Sequence, residues 1–181
     1  HHGNGTQDAF WSDASVAYVS IHQHPLYPGT GDLREIGSAS GRGLTANVPL
    51  PPGATGDAYR SAFELVVAPL AAQFAPTWLL ISAGFDGHRS DPLTDLGLTS
   101  GDFADLTADL LGLVPPGRRI AFLEGGYDLE ALAASAGACV AALAGRRWAP
   151  EAPSAGGPGL DHVRAAALVH RQVLDAADGS G

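Results

Sequence analysis

Two four-residue apolar runs constrain this chain more than anything else in it. Trp78–Ile81 breaks off into Ser-Ala-Gly, and Ile120–Leu123 breaks off into Glu-Gly-Gly. Runs this short and continuous, bounded by glycine, suit strands buried on both faces, as in a parallel sheet. A helix is expected between them. Phe103, Leu106, Leu110 and Leu113 recur at three- and four-residue spacing, Thr99 and Asp102 are placed for a capping box, and Pro115-Pro116-Gly117 stops the pattern. Strand, helix and strand in that order give a right-handed crossover in a parallel α/β sheet. Ligands of such sheets bind beyond the carboxyl ends of the strands.

The rest of the chain extends this alternation. Ala17–His22 reads as a short strand, followed by a Gly- and Pro-rich loop from His24 to Gly43. Thr45–Leu50 is a second strand, ended by Pro51-Pro52-Gly53. Tyr59, Ala62, Phe63, Val66, Val67, Leu70 and Phe74 then carry helical periodicity, with Pro69 expected to kink the helix because its ring meets the carbonyl of Leu65. Asp128 caps an Ala-rich helix reaching Leu143. Residues 145–159 read as a Pro/Gly linker, and Leu160 to about Leu174 as a last helix within a tail of residues 160–181. No internal repeat is visible.

Composition narrows the function. The net charge of −9 argues against a broad nucleic-acid surface, which needs a basic stripe to neutralise phosphates. No apolar run reaches membrane-spanning length and no signal segment opens the chain, so no membrane partner and a cytoplasmic location are expected. Cys139 is the only cysteine, which excludes an internal disulfide framework and a Cys-rich zinc site. There is no methionine, and the first residue is His1. The sequence is therefore expected to be part of a longer chain.

Chemistry-bearing residues gather in three places: His1 to Gln7, Ser82 to His88, and Leu123 to Tyr127. The second and third leave the two apolar strands at one sheet edge, so Asp86 and Tyr127 are expected near one another. Glycine beside each lets the backbone turn sharply and approach a ligand. A carboxylate there suits a borderline cation, and a phenol there suits a developing oxyanion. Taken alone, Asp86 reads more readily as a turn or cap residue, and Gly-Gly-Tyr as a plain turn. His22, His24, His88, His162 and His170 lack mutual ligand spacing, so hydrogen-bonding or surface roles are expected. No nucleotide-binding glycine loop follows a strand.

Five motifs together resemble the histone deacetylase superfamily: HHGNGTQDAFW from His1, SIHQHPLYPGTG from Ser20, NVPLPPG from Asn47, LLISAGFDGHRSDPL from Leu79 and FLEGGYDLEALA from Phe122. They span residues 1–144 in the superfamily's order and approximate spacing. The resemblance implies the arginase/deacetylase fold, a three-layer α/β/α parallel sheet, here as the C-terminal part of a catalytic domain. It implies Zn2+ as cofactor, with His1 and Asp86 as ligands and Tyr127 as the catalytic tyrosine. Tyr27, Leu93, Gly125 and Gly126 match the substrate tunnel. Ser20, Ile21 and the His1 carbonyl match ligands of a structural K+, and His2 matches a histidine behind the ligands. The superfamily's first aspartate ligand and its tandem general-base histidines precede His1 in motif order, so the isolated chain is expected to be inactive.

Glu124 and the Ser-Ala-Gly-Phe-Asp run look more like class II and bacterial deacetylases than class I. The implied reaction is hydrolysis of an acetyl amide, on an N-acetyl-lysine peptide or protein or on a small acetylated amine. Acetylpolyamine amidohydrolases are the near alternative, but Leu93 stands where the polyamine-selective relative has a substrate-pairing glutamate. A non-catalytic, degenerate domain is a second alternative. An arginase-like binuclear hydrolase is a third, and it lacks the extra Asp-rich motifs.

Overall fold

The computed structural model describes residues 1–178; residues 179–181 of the expected tail lie outside the described residues. The order is α1 (Asn4–Ala9), β1 (Tyr18–Gln23), a 3-10 turn (Ala39–Gly41), β2 (Thr45–Leu50), α2 (Gly56–Ala62), a π turn (Phe63–Val67), α3 (Ala68–Phe74), β3 (Leu79–Ala83), α4 (Ser100–Leu111), β4 (Arg119–Leu123), α5 (Leu129–Leu143) and α6 (Leu160–Asp178). Both capping expectations hold. Thr99 and Asp102 form a capping box on α4, and the Asp128 carboxylate accepts the Ala131 N–H at 2.8 Å on α5.

Among the described residues the strands form two parallel pairs. β1 pairs with β2, Ile21 opposite Val48, and β3 pairs with β4, Ile81 opposite Ala121. The core lies on the first pair. Val48 and Leu50 of β2, Ala58 and Ala62 of α2, Val66 and Leu70 beyond it, and Val163, Ala166 and Ala167 of α6 form one buried cluster. The α6 contribution falls at i, i+3 and i+4, the spacing that puts side chains on one helix face.

Three sequence expectations meet a different or more detailed outcome. The first is the double-sided burial of the strands at Trp78–Ile81 and Ile120–Leu123. Leu80 is 62% exposed, Phe122 47% and Leu123 67%. The fully buried strand is β2. The second is the Pro69 kink. The helix carries a π turn just before Pro69, which then sits in the first turn of α3. A wider turn relieves the clash with the carbonyl four residues back.

The third is the linker. Residues 145–159 include a strap bound to the N-terminal ends of α2 and α4. Ser154 donates its N–H and Oγ–H to the buried Asp102 carboxylate, with the hydroxyl at 2.6 Å. Glu151 accepts from Ser100 N–H and Oγ–H at 3.0 Å each, pairs with buried His88 at 2.8 Å, and takes Arg89 at 2.6 Å. Burial alone would raise the Glu151 pKa. The hydrogen bonds from Ser100 and His88, with the His88 charge, outweigh it and hold the carboxyl at about 2. Proline and glycine here supply bends, and the polar side chains between them supply anchors.

Candidate functional site

The carboxyl ends of three strands meet at one spot. Gln23 ends β1, Asp86 lies just past β3, and Gly125 lies just past β4. His1, from the other end of the sequence, enters between them. Its Nδ1 contacts the Asp86 carboxylate across 85 residues of sequence, and its Nε2 accepts the Gln23 N–H at 2.8 Å. The two side chains are 8% and 3% exposed. With the Gln23 amide donating to Nε2, a neutral ring carries its proton on Nδ1, facing Asp86.

Asp86 is fixed from both sides. Its backbone carbonyl accepts the Thr94 hydroxyl at 2.7 Å. A Cβ on Gly125 would lie 2.6 Å from Asp86 Oδ1, so only glycine fits against the carboxylate. Gly126 has φ +133°, a region costly for any residue with a Cβ. The Phe85 N–H donates to the Gly125 carbonyl at 2.8 Å, tying the post-β3 and post-β4 loops together. Gly125 therefore lies against Asp86, Gly126 lies against Phe85 and Leu132, and Tyr127 follows directly with its side chain 60% exposed.

The other sequence candidates fall at different distances from this pair. His2 lies behind His1, ring centroids 5.4 Å apart, with its nitrogens on the carbonyls of Thr30 and Gln23 at 3.0 and 3.1 Å. Burial lowers its pKa against the pull of those carbonyls. Ser20 contacts His22 Nδ1 at 2.8 Å, and His22 Nε2 donates to the Gly31 carbonyl at 3.1 Å. This makes Nδ1 the acceptor, so Ser20 gives its proton and keeps oxygen lone pairs free. Burial and neighbouring His2 hold the His22 pKa at about 4, so the ring is neutral near pH 7. Ile21 is engaged in the ladder opposite Val48. Tyr27 is 90% exposed and Leu93 43%, and neither side chain touches the His1–Asp86 pair through a polar contact.

Four working residues escaped the sequence reading. Gln23, 3% exposed, joins His1 to the Asp95 N–H, which its Oε1 accepts at 2.8 Å. Glu35 clamps the Gly31–Asp32 turn through both backbone N–H groups, at 3.0 and 3.1 Å. Glu151 anchors the strap. Asp91, 6% exposed, accepts three backbone N–H groups, including that of Tyr127 at 2.5 Å. Asp91 did carry a signal, a short acceptor before proline in a turn. The partners of Gln23, His1 and Asp95, lie too far off in sequence to be read from it, whereas the turn that Glu35 clamps is three and four residues away.

An imidazole nitrogen and a carboxylate oxygen aimed at one point form a donor set that suits zinc. His1 and Asp86 therefore fit the metal that the sequence implies, as two of its ligands. Among the described residues no third His, Cys, Asp or Glu joins them. A cation there would take the place of the Nδ1 proton, and the Gln23 contact at Nε2 would have to loosen.

An imidazole–carboxylate pair at converging strand ends of an α/β domain is a pair of potential metal ligands. Comparison with known proteins makes this specific: the histone deacetylase domain matches residues 1–143, and the chain belongs to that family. It is 46% identical over 142 residues to histone deacetylase 10, chloroplastic, of Oryza sativa subsp. japonica, covering 75% of this chain and 31% of that protein. It is 42% identical over 149 residues to a probable deacetylase of Archaeoglobus fulgidus, covering 80% and 42%. Among solved structures, the HDA15 HD domain superposes with a TM-score of 0.84 at 39% identity, covering 95% of this chain and 48% of that one. The histone deacetylase Clr3 superposes with a TM-score of 0.88 at 34% identity, covering 96% and 30%. The chain thus spans about a third of the curated relatives' length, and its architecture is the α/β deacetylase fold.

Proposed function

We propose that this chain is the C-terminal part of a zinc-dependent deacetylase that hydrolyses the acetyl amide of N-acetyl-lysine. One observation carries the reading: His1 and Asp86, 85 residues apart, meet side chain to side chain where β1, β3 and β4 end, with Gly125 of the Tyr127 loop against them. Zinc would supply Lewis acidity and a bound water acidified towards a pKa of about 7. His1 and Asp86 would hold it. Tyr127 would donate its phenol proton in a hydrogen bond to the tetrahedral oxyanion, and Gly125-Gly126 would keep the approach open. The general base and a further ligand would come from outside these residues. K+ at Ser20, Ile21 and the His1 carbonyl is part of the proposal, supported by the free lone pairs on Ser20.

Leu93 supports acetyl-lysine over acetylpolyamine, since an apolar side chain offers a second ammonium no partner. Action in the cytoplasm is also proposed, although two plant relatives are named as chloroplastic; fractionation of cells making the full-length protein decides it. The main test uses that protein, assaying zinc content and release of acetate from an acetyl-lysine peptide beside an acetylpolyamine. Tyr127→Phe is expected to lower turnover by ~10²–10³, the worth of one oxyanion donor. Full turnover by Tyr127→Phe removes the tyrosine from this role. Faster polyamine cleavage moves the enzyme to the alternative substrate class. No cleavage of either, with no zinc bound, leaves the non-catalytic reading standing.

A further inference from the structure

Tyr127 follows two glycines, so the chain leading into it does little to fix its direction. What fixes it comes from the other loop. The Asp91 carboxylate, 6% exposed, accepts the Tyr127 N–H at 2.5 Å and the Asp128 N–H at 3.1 Å on Oδ2, and the Leu93 N–H at 3.0 Å on Oδ1. Among the described residues no Lys, Arg or His forms a salt bridge with it. A buried carboxylate needs hydrogen-bond partners, and three N–H donors provide them, two of them at the entrance to α5.

From this geometry we infer that Asp91 is a positioning residue, whose carboxylate sets where the Tyr127 phenol stands and ties Leu93 to the same anchor. The inference rests on the deacetylase reading above. Asp91 touches neither substrate nor metal in it. It acts through the backbone of Tyr127, and its own side chain stays in the loop interior. Asn cannot replace it, because an amide has one acceptor oxygen. Whichever way it turns, either Leu93 or the Tyr127–Asp128 pair then faces an N–H donor.

The experiment compares wild type, Asp91→Asn, Tyr127→Phe and the double variant in the full-length protein. Misplacing a catalytic group by about 1 Å can cost ~10²-fold. Asp91→Asn is accordingly expected to lower kcat by ten- to a hundredfold, with KM changed by less than about threefold and zinc content unchanged. The double variant is expected to turn over no more slowly than Tyr127→Phe alone, because the phenol through which Asp91 acts is already gone. Hydrogen exchange gives a readout independent of activity: the Tyr127 and Asp128 amides exchange at least about tenfold faster in Asp91→Asn. If that variant does not fold, wild type still answers, with both amides exchanging at least tenfold more slowly than Gly126. Multiplicative losses in the double variant, lost zinc, or unchanged exchange in an active enzyme overturn the Asp91 assignment. A wild-type protein inert on every amide overturns the deacetylase reading, and with it the catalytic part of this one, whatever the exchange data show.

Discussion

The two strand pairs are built from the same material and end up in opposite environments. In β1–β2 every residue of β2 is buried, because α6 lies along it and α2 packs beside α6. In β3–β4 the side chains are as apolar or more so, yet Leu80, Phe122 and Leu123 face outward. An apolar run therefore marks a strand suited to burial, while the burial itself is delivered by whatever packs on it. For β2 that cover is 110 or more residues downstream in the same chain. The solved relatives are two to three times longer than the region they share with this chain. If this chain is part of such a domain, further chain is expected to cover β3–β4, which substitution at Leu80 tests.

Substitutions can break or sharpen this contrast. The largest effect is expected at Leu50, fully buried under α6. Leu50→Ala removes side-chain contacts and leaves a cavity, a change that costs about 2–5 kcal/mol. Urea unfolding of the 181-residue chain measures it. A cost under 1 kcal/mol would mean that β2 is not the core strand.

Next comes the strap that closes the covered half. The Glu151 pKa is lower in the folded state, at about 2, than its ordinary value of 4.5. Its contribution to stability is therefore full above pH 4.5, declines as pH falls below that, and is gone below about pH 2. Glu151→Gln is expected to lower stability at pH 7 and to flatten the acid limb between those values. An unchanged slope in acid titrations of unfolding free energy removes Glu151 from this role.

The smallest effect is expected at Leu80 in the same isolated chain, where an exposed leucine changed to alanine should alter stability by no more than about 0.5 kcal/mol. In a protein carrying the whole domain, Leu80→Ala should instead approach the cost at Leu50. Equal, small costs in both settings would show that this face stays open to solvent.

Local chemistry was legible from the sequence alone. The capping box at Thr99 and Asp102, the Asp128 cap, the four strands and the three glycine-bounded motifs all depend on neighbours within a few residues, and there a residue's own propensity decides. The motifs also carry the family and mark His1, Asp86 and Tyr127 as site candidates. Three-dimensional packing decided the rest. It settled which apolar strand is covered, turned a Pro/Gly stretch into a strap through Glu151 and Ser154, and brought Gln23 to His1 and Asp91 to Tyr127. Those partners are 22 and 36 residues apart. Hydrogen bonds and burial act over a few ångströms of space, and the number of residues between two positions carries little information about that distance until the chain has folded.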